Sequence, residues 1–126
     1  MKFKFSYFRY PNNDQLYPSI VDLTIANESK LVAAYLNDDA GLSRSTRIEI
    51  LEYSLEVLEN IEIKDADISS EHYMASIQNQ QVKFEFVYDG NQRAFTCRSK
   101  LIQAMKAWIA FIKKESIKDY TEIIEI

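Results

Sequence analysis

A chain of 126 residues, 47% hydrophobic and 13% aromatic, has the length of one domain and ample material for one core, so residues 1–126 are expected to form a single α+β domain. Its net charge is only −4, which with the apolar content excludes an intrinsically disordered chain and argues against general affinity for nucleic-acid phosphates. The two separated glycines, Gly41 and Gly90, exclude glycine-rich phosphate cradles, and the lone Cys97 excludes an intrachain disulfide or a multi-cysteine metal site.

No apolar run approaches the roughly 18–20 residues of a membrane span. Met1 to Tyr10 alternates lysines with aromatics and does not build the apolar core of a signal peptide. A cytoplasmic protein with no membrane partner is expected.

In chain order, residues 2–10 read as a strand, with Phe3, Phe5 and Tyr7 on one face and Lys2, Lys4 and Ser6 on the other. Pro11-Asn12-Asn13-Asp14 is a loop. Ile20 to Ala26 reads as a second strand, with Val21, Leu23 and Ile25 on one side. Leu31 to Leu36, apolar on both faces apart from Tyr35, reads as a third strand set away from a bare edge. Asn37 to Gly41 breaks the pattern. A helix is predicted from about Ser45 to Asn60, capped by Ser43 or Ser45, with Thr46 to Glu49 at capping-box spacing. Its core stripe is Ile48, Leu51, Leu55 and Leu58.

Residues 61–70 form an acidic connector that begins a strand at most. His72 to Ile77 reads as the next strand, and Asn79-Gln80 as a tight turn. Val82 to Tyr88 places Val82, Phe84, Phe86 and Tyr88 on one face. Asp89-Gly90-Asn91 is the expected turn into a strand over Arg93 to Cys97. A second helix follows, with Leu101, Met105, Trp108 and Ile112 at helical spacing and Ser99 as a candidate cap. Tyr120 to Ile126 is a seventh strand or a docked tail. The reading is therefore α+β: a mostly antiparallel sheet of about six strands with two helices packed on it, in the order βββα-βββα plus the C-terminal strand.

Charge is the strongest functional signal. Glu49, Glu52, Glu56 and Glu59 step by three, four and three, so they lie along one face of the first predicted helix, and Asp65 and Asp67 follow its exit. Between Arg47 and Asp67 there are seven acids against two bases, whereas the remainder holds twelve acids against thirteen bases. Stacked glutamates repel by a few tenths of a kcal/mol per pair. One reading is a plain solvated face; the other is a docking surface for a basic protein, which the charge would steer and select. Ile50, Tyr53 and Val57 form a second apolar stripe that contacts a loop, a partner or a second copy of the chain. Tyr53 beside the glutamates suits a binding hot spot.

The segment from Arg93 to Lys114 is basic, but its helical phases set Lys100, Lys106 and Lys113 opposite the apolar stripe. Phe95 and Trp108 are then expected in the core rather than as a stacking platform, so nucleic acid is not the expected partner. His72 has no catalytic partner legible nearby and reads as a surface or hydrogen-bonded histidine; Cys97 reads as a small buried hydrophobe. No nucleophile motif and no ligand set at metal spacing occurs, so no catalytic residue, metal or cofactor is expected.

A short, acidic, aromatic-rich α+β chain with an acid-lined helix, the acids being Glu49, Glu52, Glu56, Glu59, Asp65 and Asp67, resembles the small bacterial immunity proteins of contact-dependent inhibition and bacteriocin systems. The resemblance is one of build and charge over the whole chain. It implies a stoichiometric, non-catalytic inhibitor that masks a basic toxin domain, often a nuclease. The alternative is a small homodimeric regulatory or structural domain joined through the Ile50/Tyr53/Val57 stripe or the C-terminal strand.

Overall fold

The computed structural model describes residues 1–126. Its elements run β1 (Lys2–Phe8), β2 (Tyr17–Asp22), α1 (Asn27–Asn37), α2 (Arg44–Glu59), β3 (Asp65–Asp67), β4 (Tyr73–Gln78), β5 (Gln81–Phe86), β6 (Asp89–Cys97), α3 (Arg98–Lys113) and β7 (Thr121–Glu125). The α+β class and the antiparallel pairing agree with the sequence reading, but the layout differs. The strands form two sheets, ordered β2-β1-β7 and β3-β4-β5-β6, and there are three helices. The C-terminal segment joins its own chain: β7 pairs with β1, Phe3 lying opposite Ile124. No helix is long and apolar enough to cross a membrane.

The third predicted strand, Leu31 to Leu36, is the latter part of helix α1. Leu31, Val32, Ala33, Tyr35 and Leu36 are all buried, because α1 packs against β2, β5, β6 and α3. A helix buried on several sides has no polar stripe and so hides its 3.6-residue period, leaving a short apolar run that reads equally as a strand.

Three smaller corrections come from register. The β5–β6 connection turns at Val87-Tyr88, with Phe86 opposite Asp89, so Tyr88 sits exposed in the turn and Gly90 falls inside β6. In β6 the buried residue near the helix is Thr96, while Phe95 is 48% exposed and Cys97 is exposed. The reason is phase: Arg98 must point inward, and a period of two then turns Thr96 inward and Phe95 and Cys97 outward. In β2, which ends at Asp22 rather than Ala26, the buried residue is Ile20 and Val21 is exposed, as are Leu23 and Ile25 beyond its end.

Helix α3 is the predicted helix, and Leu101, Met105, Trp108 and Ile112 are all buried. Its N-terminal half meets β5 and β6. Its C-terminal half carries Trp108 and Phe111 against β1, with Phe5 edge-on to Trp108 at 5.1 Å and Tyr7 stacked on Phe111 at 4.7 Å between ring centroids. Such pairs add about 0.5–1.5 kcal/mol each beyond the area they bury. A single helix thus ties the two sheets together.

Helix α2 packs along α3. Its cap is Ser43, whose hydroxyl accepts the Thr46 N–H. Leu51 and Leu58 are buried, with Ile48 and Leu55 half-buried beside them. Neither α1 nor α2 has a basic residue in its own last turn, and in each case the following helix supplies one. Arg47 of α2 donates through Nη2 to the carbonyls of Tyr35 and Leu36, at 3.4 and 3.1 Å, closing the end of α1. Arg98, the first residue of α3, reaches the carbonyls of Val57, Leu58 and Asn60 at the end of α2. It also reaches Ile63 in the connector and Asn79 in the β4–β5 turn.

Replacing Arg98 by alanine is expected to destabilise the protein by at least about 3 kcal/mol, because it strips a cation from carbonyls that are already out of water. Arg98→Lys should recover only part of this, since one ammonium does not span five carbonyls. Urea unfolding, followed by the fluorescence of the single tryptophan, measures both.

Candidate functional site

The acidic face of α2 exists as a face, but its carboxylates are not equivalent. Glu49, Glu52, Glu56 and Glu59 are all exposed. Glu52 pairs with Lys113 and Glu59 with Lys106, the latter at 3.2 Å. These two carboxylates line the seam with α3 and are neutralised by their own chain. Both pairs are about half exposed, so each contributes little to stability. Glu49 and Glu56 have no partner within the chain and lie farther round α2, next to Tyr53, which is 69% exposed. Ile50 is also exposed, whereas Val57 is half-buried against the core. The second apolar stripe therefore splits, Val57 belonging to the interior and Ile50 and Tyr53 to the surface.

Asp65 and Asp67 lie two apart on β3, the edge strand of the four-stranded sheet, and both are exposed. Asp67 Oδ1 accepts the Ser69 N–H at 2.8 Å. The Ser69 side chain and backbone together hold the Asp67 carboxyl below its usual range. Its charge is thus engaged locally, while Asp65 carries no hydrogen bond or ion pair from its side chain.

The structure also assembles a polar cluster with no local signal in the sequence. Asp38, at the end of α1, accepts hydrogen bonds from Ser70 Oγ (2.6 Å), from the His72 N–H (2.6 Å) and from His72 Nδ1 (2.8 Å). Burial pushes the Asp38 carboxyl up, but the hydrogen bonds from Ser70 and His72 outweigh it, and the pKa is lowered. Ligand-type atoms of Asp38, Glu71 and His72 lie within 4.8 Å of one another. The hydrogen bonds engage both oxygens of Asp38 and occupy Nδ1 of His72, so the pair acts as a clasp between the end of α1 and the start of β4. Asp38 and His72 are 34 residues apart, which is why neither spacing nor periodicity pointed to the contact.

Cys97 is exposed rather than buried. Its thiol is lowered below its ordinary pKa chiefly by the Ser99 hydroxyl, 3.0 Å from the sulfur.

The chain matches the family of unknown function DUF5376 over residues 1–126. It belongs to that family. No curated protein and no solved structure matches it. The acidic face and the Asp38–His72 clasp are thus features read from this DUF5376 chain itself.

The clasp makes the stability of this family member depend on pH. Its hydrogen bond to Asp38, against a smaller opposing effect of desolvation, holds His72 above its ordinary value of 6.5. A raised folded-state pKa contributes stability that is fully present below about 6.5 and is lost as pH rises through the folded value. Asp38 behaves oppositely: its contribution is present above about 4 and is lost as pH falls through its depressed value. Thermal unfolding midpoints should therefore decline on the alkaline side of pH 6.5, and His72→Ala should flatten that decline. An identical pH profile in the variant would show that His72 does not carry the effect.

Proposed function

We propose that the chain is a non-catalytic protein-binding module that meets a basic partner through the outer face of α2. Most concretely, it is a cytoplasmic immunity protein that masks a basic toxin domain. The observation that carries this reading is Tyr53, 69% exposed on the face that holds Glu49 and Glu56, two carboxylates with no cation of their own chain beside them. A rigid helix offering a large amphipathic ring between unneutralised charges has the make-up of a hot spot with a steering rim. The intramolecular pairs of Glu52 and Glu59 move the contact away from α3 and centre it on Glu49, Tyr53 and Glu56, with Asp65 on β3 as a further anionic group.

A second reading, a homodimeric regulatory or structural domain, is supported by β7. That strand is an edge of its sheet, and Ile123 on it is exposed, so a second β7 could pair with it. Sedimentation over a range of concentrations separates the two readings, because a strict monomer removes the second.

The first reading predicts that Glu49→Lys/Glu56→Lys, and separately Tyr53→Ala, weaken binding to the basic toxin domain that the protein would neutralise by about tenfold or more. Both should also abolish protection in a growth assay. Glu52→Gln/Glu59→Gln should cost much less, because those carboxylates are already paired. Wild-type affinity should fall as salt rises. Unchanged binding and protection in both the charge-reversed and the Tyr53 variants would end the proposal.

A further inference from the structure

A cleft of about 530 Å³ opens between the start of β2, the end of α1, the N-terminus of α2 and α3, within the size range of small-molecule sites. Leu36, Trp108 and Ile112 form an apolar wall, and Arg44 and Arg47 line another side. Arg47 is only 9% exposed. It spends one terminal nitrogen on the carbonyls of Tyr35 and Leu36, and its Nε has no acceptor at all. No carboxylate lies within ion-pair distance of it. Burial depresses its pKa, and the more distant charges of Asp38 and Asp39 offset this only in part. Trp108, 3% exposed, likewise has an indole N–H with no acceptor. Buried donors left unpaired cost free energy, and native structures hold few of them.

A third positive contribution comes from α2. Ser43 caps the Thr46 N–H, but the N–H groups of Arg44 and Ser45, at the first two helical positions, have no intrahelical acceptor. The first turn holds no acid, so the positive end of the helix dipole is not neutralised locally. Two acids also line the cleft: Asp14 pairs with Arg9 at 3.9 Å, and Asp39 Oδ1 accepts the Gly41 N–H at 3.0 Å while its charge acts on Arg47 only through space.

We propose that this cleft binds a small organic anion, its carboxylate or phosphoryl group set against Arg44, Arg47 and the α2 N-terminus, and its apolar body against Leu36, Trp108 and Ile112. The ligand supplies the direct ion pair that Arg47 lacks and an acceptor for the unpaired donors. The site lies on the inward side of α2, so it stands independently of the partner-binding face on the outer side.

The single tryptophan is part of the wall, so its indole N–H resonance in ¹H–¹⁵N spectra is a local reporter. The probes are phenylacetate, phenyl phosphate and the neutral analogue phenylacetamide, titrated into the full chain. Saturable shifts of the Trp108 signal are expected with an anion and not with phenylacetamide, and the tighter anion identifies the head group. Arg44→Gln, at the exposed rim, should weaken binding about tenfold with the fold intact, and Arg47→Gln should abolish it. Should Arg47→Gln fail to fold, Arg44→Gln alone decides. The proposal is overturned if neither anion gives a saturable shift up to about 10 mM. It is also overturned if phenylacetamide binds as tightly as the anions, or if Arg44→Gln binds them unchanged.

Discussion

Arg98 is the constraint on which the rest of this structure depends. One buried guanidinium donates to five backbone carbonyls from the end of α2, the connector after it and the β4–β5 turn. A helix leaves its last carbonyls without intrahelical donors, and burying them unpaired is costly. Here α2 has no cation in its last turn, so it ends stably only when docked on α3. The same residue starts α3 and sets the phase of β6, turning Thr96 inward and Phe95 outward. One side chain thereby couples a helix end, a hairpin and the junction between strand and helix.

Arg47 repeats the device one helix earlier, closing α1 from α2, but with fewer acceptors. Arg98 meets five carbonyls and Arg47 two. That difference separates a saturated structural cation from one with donors to spare. The surplus falls beside an apolar wall and a helix N-terminus with no acid in its first turn, so the cleft between α1, α2 and α3 holds donors without acceptors. The Asp38–His72 clasp secures the segment just past α1 to the start of β4.

These internal demands also shape the outer surface. Lys106 and Lys113 stand on the polar side of α3, and packing α2 along α3 brings them to Glu59 and Glu52. Half of the acidic stripe is consumed in the seam. Glu49 and Glu56 remain because they lie farther round the helix, and Tyr53 stays exposed because no loop crosses it. The anionic surface is therefore narrower than the run of acids implies, and it has an aromatic centre.

The amino-acid sequence alone determined what local periodicity and composition can carry. It set the α+β class, the α3 stripe of Leu101, Met105, Trp108 and Ile112, the Asn79-Gln80 turn, a serine cap at Ser43 or Ser45 and the alignment of four glutamates on α2. It did not reveal that Leu31 to Leu36 is helical, because burial on several sides erases the polar phase that distinguishes a helix from a strand. Nor did it show which glutamates are free, that Phe95 faces water, or that Arg47, Arg98, Asp38 and His72 have buried or engaged partners. Those facts rest on contacts between residues 11 or more positions apart. Only the tertiary structure decides such pairings, because hydrogen bonds and ion pairs act over a few ångströms in space and leave no period along the chain.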